Sequence, residues 1–372
     1  MEGNLKVSVK KQVLIIVLDN FYITSYIPSK NIKSYISKIP IPQEFFNTFF
    51  DKVSFISDFA KLSASEVDIT DPYIEIYSSI SAYKKYFLKI TQAVYIINSQ
   101  FLSNVAIYFT SKFNASKCYV MYLSRDSIFV SSGTGEYVLN KNFDDLYTEF
   151  FKRKNFDELI MSLSKIKKFN IYNAIAKFPY TGRGYFAMPI VAMLMKSLLS
   201  DFQIETNGDL PIIVLTGDFV QFFTDVNEAT FSLLYGLSSF SFASLYIDKS
   251  NSFPLLSAIS SEEFFNANLS HTADIFKVNF EKGFRDREYI QVKIVDDASI
   301  RNVKLEKGNI LNIPVTSPAH IIIKLPPHAL IGSKRNEVEF IAKGNIVIDA
   351  KNIASDTNFI NKWTENLEPL SF

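Results

Sequence analysis

"PIIVLTGDFVQFF", residues 211–223, holds the reading that decides the fold. Ile212 to Leu215 is a continuous apolar run, short and β-branched, as a strand buried on both faces would be. It stops at Thr216-Gly217-Asp218, and apolar residues restart at helical spacing with Val220 and Phe223. A buried strand, a glycine turn and a helix make up a β-to-α connection, which belongs to an α/β sheet. Such a turn either faces a ligand with its backbone or simply reverses the chain with Asp218 as the helix N-cap.

Outward from this stretch, the chain has 372 residues, 48% of them hydrophobic, with 35 Phe and 19 Tyr but only 12 Gly and 21% charge. That composition belongs to a globular chain of two or three domains. The 39 basic residues balance 38 acidic ones to a net charge of +1, so no long-range field draws the molecule to nucleic acid. One cysteine, Cys118, lies inside the apolar run "KCYVMYL", and only three histidines occur (His271, His320, His328). A disulfide framework and a zinc-ligand set are both absent, and the sequence gives no metal site of its own. The apolar stretch before Asp19 is too short for a signal peptide or a membrane span, so no transmembrane segment and a cytoplasmic location are expected.

The opening "KQVLIIVLDNFYITSYIP" predicts a hairpin: a strand from Val13 to Leu18, a turn at Asp19-Asn20, and a strand from Phe21 to Thr24. The run from Phe45 to Phe59 has helical spacing, "YIEIYSSI" is a short strand, and "NVAIYFTSKF" (104–113) reads as a strand closing a first domain, 1–115. A second hairpin follows, Cys118 to Leu123 and Ile128 to Ser131, joined by Ser124-Arg125-Asp126-Ser127. It opens a second domain, 116–276, with a lysine-rich helical region, the helix "YFAMPIVAMLMKSLLSDF", the 211–223 connection, the helix "VNEATFSLLYGL" and the strand "SLYID". From residue 277 to 372 the chain is expected to be all β, in short alternating segments such as "EYIQVKIVDD", "IRNVKLEKG" and "AHIIIKLPP" parted by Gly, Pro and Asn.

Two βα-rich halves, each opening with an aspartate-bearing hairpin and followed by a strand ending in Thr-Gly-Asp, resemble the actin, Hsp70 and sugar-kinase superfamily. The order from Arg183 to Ser257, and the closing "VKLEKGNILNIPV…GNIVIDA" (303–350), are similar to the MutL-like proteins associated with glutamate mutase. That resemblance implies two actin-like, ribonuclease H-like lobes followed by an all-β module. It implies an ATPase-like clamp using ATP and Mg²⁺, with a regulatory or chaperone role exercised through a protein partner or self-assembly. In the superfamily the hairpin turns grip phosphates and metal, while the late glycine turn faces adenosine. Carried onto this chain, Asp19 and Asp126 become the candidates for positioning metal and water. Thr24, Ser127, Thr216, Gly217 and Asp218 become the candidates for contacting nucleotide.

The first hairpin departs from the family: Asn20 and Phe21 stand where a glycine and a small hydroxyl residue are expected. A phosphate needs close backbone approach and free N–H groups, which glycine permits and an aromatic blocks. The expected ATPase is therefore weakened or lost. Asp19 and Asp126 equally fit turn residues accepting backbone N–H bonds. "YTGRGYF" (180–186) is an anion loop or a plain lead-in to a helix; the lysines of 151–170 are a solvated face or a surface for lipid, so peripheral membrane contact stays open. GxSxG, GxxxxGK[ST] and GxGxxG are absent, which removes the commonest hydrolase, P-loop and dinucleotide readings. A nucleotide-free assembly scaffold is the alternative reading. A small-molecule kinase, for which Asp126 would be the catalytic aspartate, ranks below both.

Overall fold

The computed structural model describes residues 12–19, 22–27, 35–78, 80–97, 118–124, 128–132, 137–141, 211–217, 241–248, 270–281, 288–297, 299–315, 318–342 and 344–350, with single residues at 104, 106, 107, 110, 111, 220, 230, 233 and 234. The chain divides into two compact units, Met1–Asn98 with Asn251–Asn268, and Ser99–Ser250 with Leu269–Phe372. The lysine-rich region, the "YTGRGYF" loop and the helix at 185–202 lie outside the described residues.

In the first unit the described elements are β1 (Val13–Leu18), β2 (Tyr22–Tyr26), β3 (Tyr35–Pro40), a 3₁₀ turn (Gln43–Phe46), α1 (Lys52–Ser65), β4 (Tyr73–Ser78), α2 (Lys84–Phe87) and β5 (Val94–Ile96). The strands pair in the order β3-β2-β1-β4-β5. β1, β2 and β3 form an antiparallel meander, while β4 and β5 run parallel to β1. Alternate residues of β1 (Leu14, Ile16, Leu18) point into one core with Ile23, Ile76 and the face of α1 carrying Ile56, Phe59, Ala60 and Ala64. Their spacing at i, i+3, i+4 and i+8 is the apolar stripe of a helix laid on a sheet.

The helical spacing expected from Phe45 onward is interrupted. The chain is extended at Asn47, and α1 starts only after Asp51, whose side chain accepts the backbone N–H of Ser54 at 3.1 Å. That bond holds the Asp51 carboxyl below its ordinary value. Lys52, 2% exposed, donates its Nζ to the Asn47 carbonyl at 2.6 Å and sits 5.0 to 5.5 Å from the rings of Phe45, Tyr83 and Tyr86. The break is thus fixed by an N-cap and a buried cation–π cage, two tertiary features that the spacing of apolar residues does not reveal.

The second unit comprises β6 (Cys118–Leu123), β7 (Ile128–Ser132), β8 (Tyr137–Lys141), β9 (Ile212–Thr216), β10 (Phe242–Ile247), β11 (Ser270–Lys277), β12 (Asn279–Phe280), β13 (Tyr289–Val295), β14 (Ile300–Glu306), β15 (Ile310–Ile313), β16 (Ala319–Lys324), β17 (Ala329–Leu330), β18 (Glu337–Ala342) and β19 (Ile346–Asp349). Within its large sheet, β8-β7-β6-β9-β10 repeats the order and strand directions of the first unit. The repeat reaches single residues. Leu18 closes on Ile23 and Leu123 on Ile128, each leaving four residues in the turn. A register shift follows two residues later in both, at Ser25/Tyr26 and at Val130/Ser131. Bulges are retained features of a fold, so the shared shift marks one five-strand plan used twice.

The segment expected to be a strand at 104–113 is helical at each of its described residues, and Thr110 Oγ1 donates back to the Ala106 carbonyl at 2.9 Å, four residues earlier. A short apolar run with β-branched residues fits either state, and burial of Ala106 on one side decides it.

Residues 277–350 form strands as expected, but they do not stand apart. β19 pairs with β11 in parallel, and β15 pairs with β19, so both extend the large sheet. The remaining sheet, β14-β13-β16-β18, packs on it through one shared core that includes Phe242, Phe276, Leu311 and Ile348 on one side and Val292, Ile321, Ile323 and Val338 on the other. A chain ending at residue 276 therefore strips β11 of its β19 partner and exposes this core. The expected result in urea is a broad, non-cooperative transition with loss of near-UV circular dichroism; a sharp native-like transition would show that the shared core is dispensable.

Candidate functional site

The first hairpin turn is closed upon itself. Asp19, 2% exposed, accepts the Tyr22 backbone N–H on Oδ1 at 2.7 Å, and its own N–H donates to the Tyr22 carbonyl at 3.1 Å. The two described N–H groups of the turn are thus satisfied within it. A phosphate cradle needs such groups turned outward, and these two N–H groups are not available to one. Thr24 stands inside the ladder, opposite Val17 and Lys38 and 3% exposed, one step back from the closing pair.

The register also shifts the comparison between the hairpins. The position after the closing pair is Asp19 in the first and Ser124 in the second, while Asp126 occupies the place of Phe21. Ser124 is fully buried. Asp126 and Ser127 lie outside the described residues, as does Asp218.

Thr216 and Gly217 close β9 in the middle of three parallel strand ends, β6, β9 and β10. Thr216 Oγ1 donates to Asp248 Oδ2 at 2.9 Å, and neither residue has any exposure. The Asp248 backbone N–H donates to the Leu215 carbonyl at 2.9 Å, fixing the carboxylate just past β10. Gly217 has φ +101°, and a Cβ there would come within 2.5 Å of the Leu123 carbonyl oxygen. Both requirements, a left-handed backbone and an absent side chain, come from close contact with the end of β6. Carboxyl ends of parallel strands are where ligands of open α/β sheets bind. Here the hydroxyl and the glycine are engaged by neighbouring strands.

Asp248 was not singled out by sequence reasoning, although its place after the apolar run "SLYI" is the same kind of strand-end position as Thr216. A second polar group was missed on β10 and β11. Ser244 Oγ donates to Asp274 Oδ1 at 2.6 Å, and His271 Nε2 lies 3.1 Å from the same oxygen. Tyr246 packs edge-on against the His271 ring at 5.0 Å; burial, with Asp274 beside it, pushes its phenol up to about 12. Cys118 is fully buried, and desolvation raises its thiol well above the ordinary range, in keeping with a small core residue rather than a nucleophile. Among the described residues no group of three or more His, Cys, Asp or Glu side chains is placed to hold a metal ion. No helix among them is long and apolar enough to cross a membrane.

No protein-family model and no curated protein sequence matches the chain. Solved structures to which it is similar include a Ppx/GppA family member from Aquifex aeolicus, with 10% identity over 55% of this chain and 66% of that one and a TM-score of 0.31. A ROK hexokinase from Thermus thermophilus shares 12% identity over 67% of this chain and 96% of that one, with a TM-score of 0.33. The ethanolamine utilization protein EutJ from Carboxydothermus hydrogenoformans shares 7% over 68% and 89%, with a TM-score of 0.36. At these scores the architecture rests on the strand pairing of the chain itself.

Two substitutions test the strand-end geometry by urea unfolding. Gly217→Ala is expected to cost more than about 2 kcal/mol, from positive φ and the clash with backbone together. Thr216→Val removes the donor to a buried carboxylate and is expected to cost about 1–3 kcal/mol. A change below about 0.5 kcal/mol in either, the level of an ordinary surface substitution, would refute the described contact.

Proposed function

We propose that the chain is an actin-like protein of the MutL-like type in which nucleotide chemistry is weakened or lost, and which acts through protein contacts in a regulatory or chaperone role. The observation carrying this reading is the duplicated plan: two units with strand order 3-2-1-4-5, equal four-residue hairpins and the same register shift. Duplication of this plan is what the actin-like resemblance calls for. The loss of ATP chemistry is supported by the self-closed turn at Asp19 and by the engaged Thr216 hydroxyl. On this reading Thr216 and Gly217 are features of the fold. ATP and Mg²⁺ are at most weak ligands, and the protein belongs in the cytoplasm.

Phosphate release measured with millimolar ATP and Mg²⁺ is expected to stay at the uncatalysed background, for the native chain and Asp19→Asn alike. Turnover in the native chain that disappears in Asp19→Asn would overturn the loss of ATPase. Light scattering after size exclusion, with cross-linking in extract, reads the second half of the proposal. Self-association or a stoichiometric protein partner is expected, and a strictly monomeric chain with no cross-linked partner would refute it.

A further inference from the structure

A pocket of about 170 Å³ lies wholly within the second unit, between the face of β10 and β11 and the edge strand β18. Phe242, Phe276, Phe340 and Val338 form its apolar walls, with the Phe276 and Phe340 rings 4.2 Å apart at their centroids. Asp274 supplies a carboxylate whose side chain is 8% exposed. Lys334 joins the lining from the tight turn Ile331–Lys334, whose two backbone hydrogen bonds and Gly332, at φ +62° close against Phe242, hold it in place.

Asp274 is the buried carboxylate of this pocket; the other acid in its lining, Glu339, is exposed and paired with His320. Both of its side-chain hydrogen bonds, from Ser244 and His271, fall on Oδ1, so Oδ2 is the oxygen left for a ligand. Among the described residues no lysine or arginine forms an ion pair with it. Nδ1 of His271 is buried without a hydrogen-bond partner, against Gly344. A carboxylate held in low-dielectric surroundings calls for a cation, and aromatic walls favour one.

We propose that this pocket binds a small organic ammonium whose positive nitrogen meets Asp274 Oδ2 and whose compact apolar body, about one ring in size, lies among Phe242, Phe276 and Phe340. The size follows from the volume, since a cavity of about 150 Å³ accommodates benzene. A primary amine suits the site because its head offers three donors to one open carboxylate oxygen and its neighbours. The site is separate from Thr216 and Asp248, and the proposal does not depend on nucleotide binding.

Isothermal titration of the full chain with phenethylammonium, with neutral 2-phenylethanol and anionic 3-phenylpropionate as shape controls, tests it. Saturable binding of the ammonium is expected, with the alcohol at least about tenfold weaker, because only the ammonium pairs with the buried charge. The anion is expected not to bind. Asp274→Asn should lower amine affinity to that of the alcohol. Lys334→Ala, at an exposed turn position, should tighten it by about two- to fivefold at low salt, and high salt should erase that gain. Equal affinity for alcohol and ammonium, no saturable amine binding at millimolar concentration, or unchanged amine binding in folded Asp274→Asn would overturn the proposal. Should Asp274→Asn fail to fold, the three ligands on the native chain and Lys334→Ala still decide it.

Discussion

The second unit depends on β11, because one strand satisfies two sets of neighbours at once. It pairs antiparallel with β10 and parallel with β19, and so joins the duplicated strand plan to the C-terminal strands. Its alternation is divided to match. Ala273 and Ile275 are buried on one face, while Asp274 and Phe276 point to the face carrying the four-stranded sheet. A register slip of one residue would put Asp274 into an apolar core and Phe276 out of the shared one. The bulge at Leu245/Tyr246 lets His271 return to the Asp274 face, where the ring reaches the carboxylate.

Much of this was legible in the residues. Continuous apolar runs such as "VLIIVL" and "IIVLT", short and bounded by turn residues, read as buried strands, and they are central strands of their two sheets. Both hairpins and the strands between 289 and 349 follow from alternation and turn residues. That C-terminal strands join the large sheet was not legible, because alternation reports that one face is buried and says nothing about which partner buries it. "NILNIPV" and "GNIVIDA" read like their neighbours, yet they belong to the large sheet. The helical state of the described residues 104, 106, 107, 110 and 111 was hidden for a related reason, since a short β-branched run takes the state its tertiary contacts dictate.

Of the candidate site, the strand end at Thr216 and the two hairpins were legible, and the register that relates the hairpins was not. Two aspartates in two hairpins looked equivalent by composition. Pairing shows that the counterpart of Asp19 is Ser124, and that Asp126 stands at the place of Phe21. Composition cannot count positions from a closing pair; only register does. The unseen partner of Thr216 illustrates the same limit, because Asp248 lies 32 residues away and meets it only through the parallel β9–β10 pairing.

Two of the buried carboxylates described in the second unit, Asp248 and Asp274, stand in opposite circumstances, and the contrast separates structure from ligand chemistry. Asp248 has no exposure, receives the Thr216 hydroxyl, and is fixed through its own backbone to β9. Its described contacts are all with its own sheet, so they stabilise the strand ends. Asp274 keeps a sliver of exposure on a pocket wall, and both of its donors crowd one oxygen. A purely structural carboxylate would gain by spreading its donors over both oxygens, as buried charges are satisfied in folded chains. Crowding Oδ1 while aromatic rings surround the pocket leaves Oδ2 as an oriented, weakly solvated acceptor. That is the arrangement from which an ammonium gains the most and a neutral ligand of the same shape gains little.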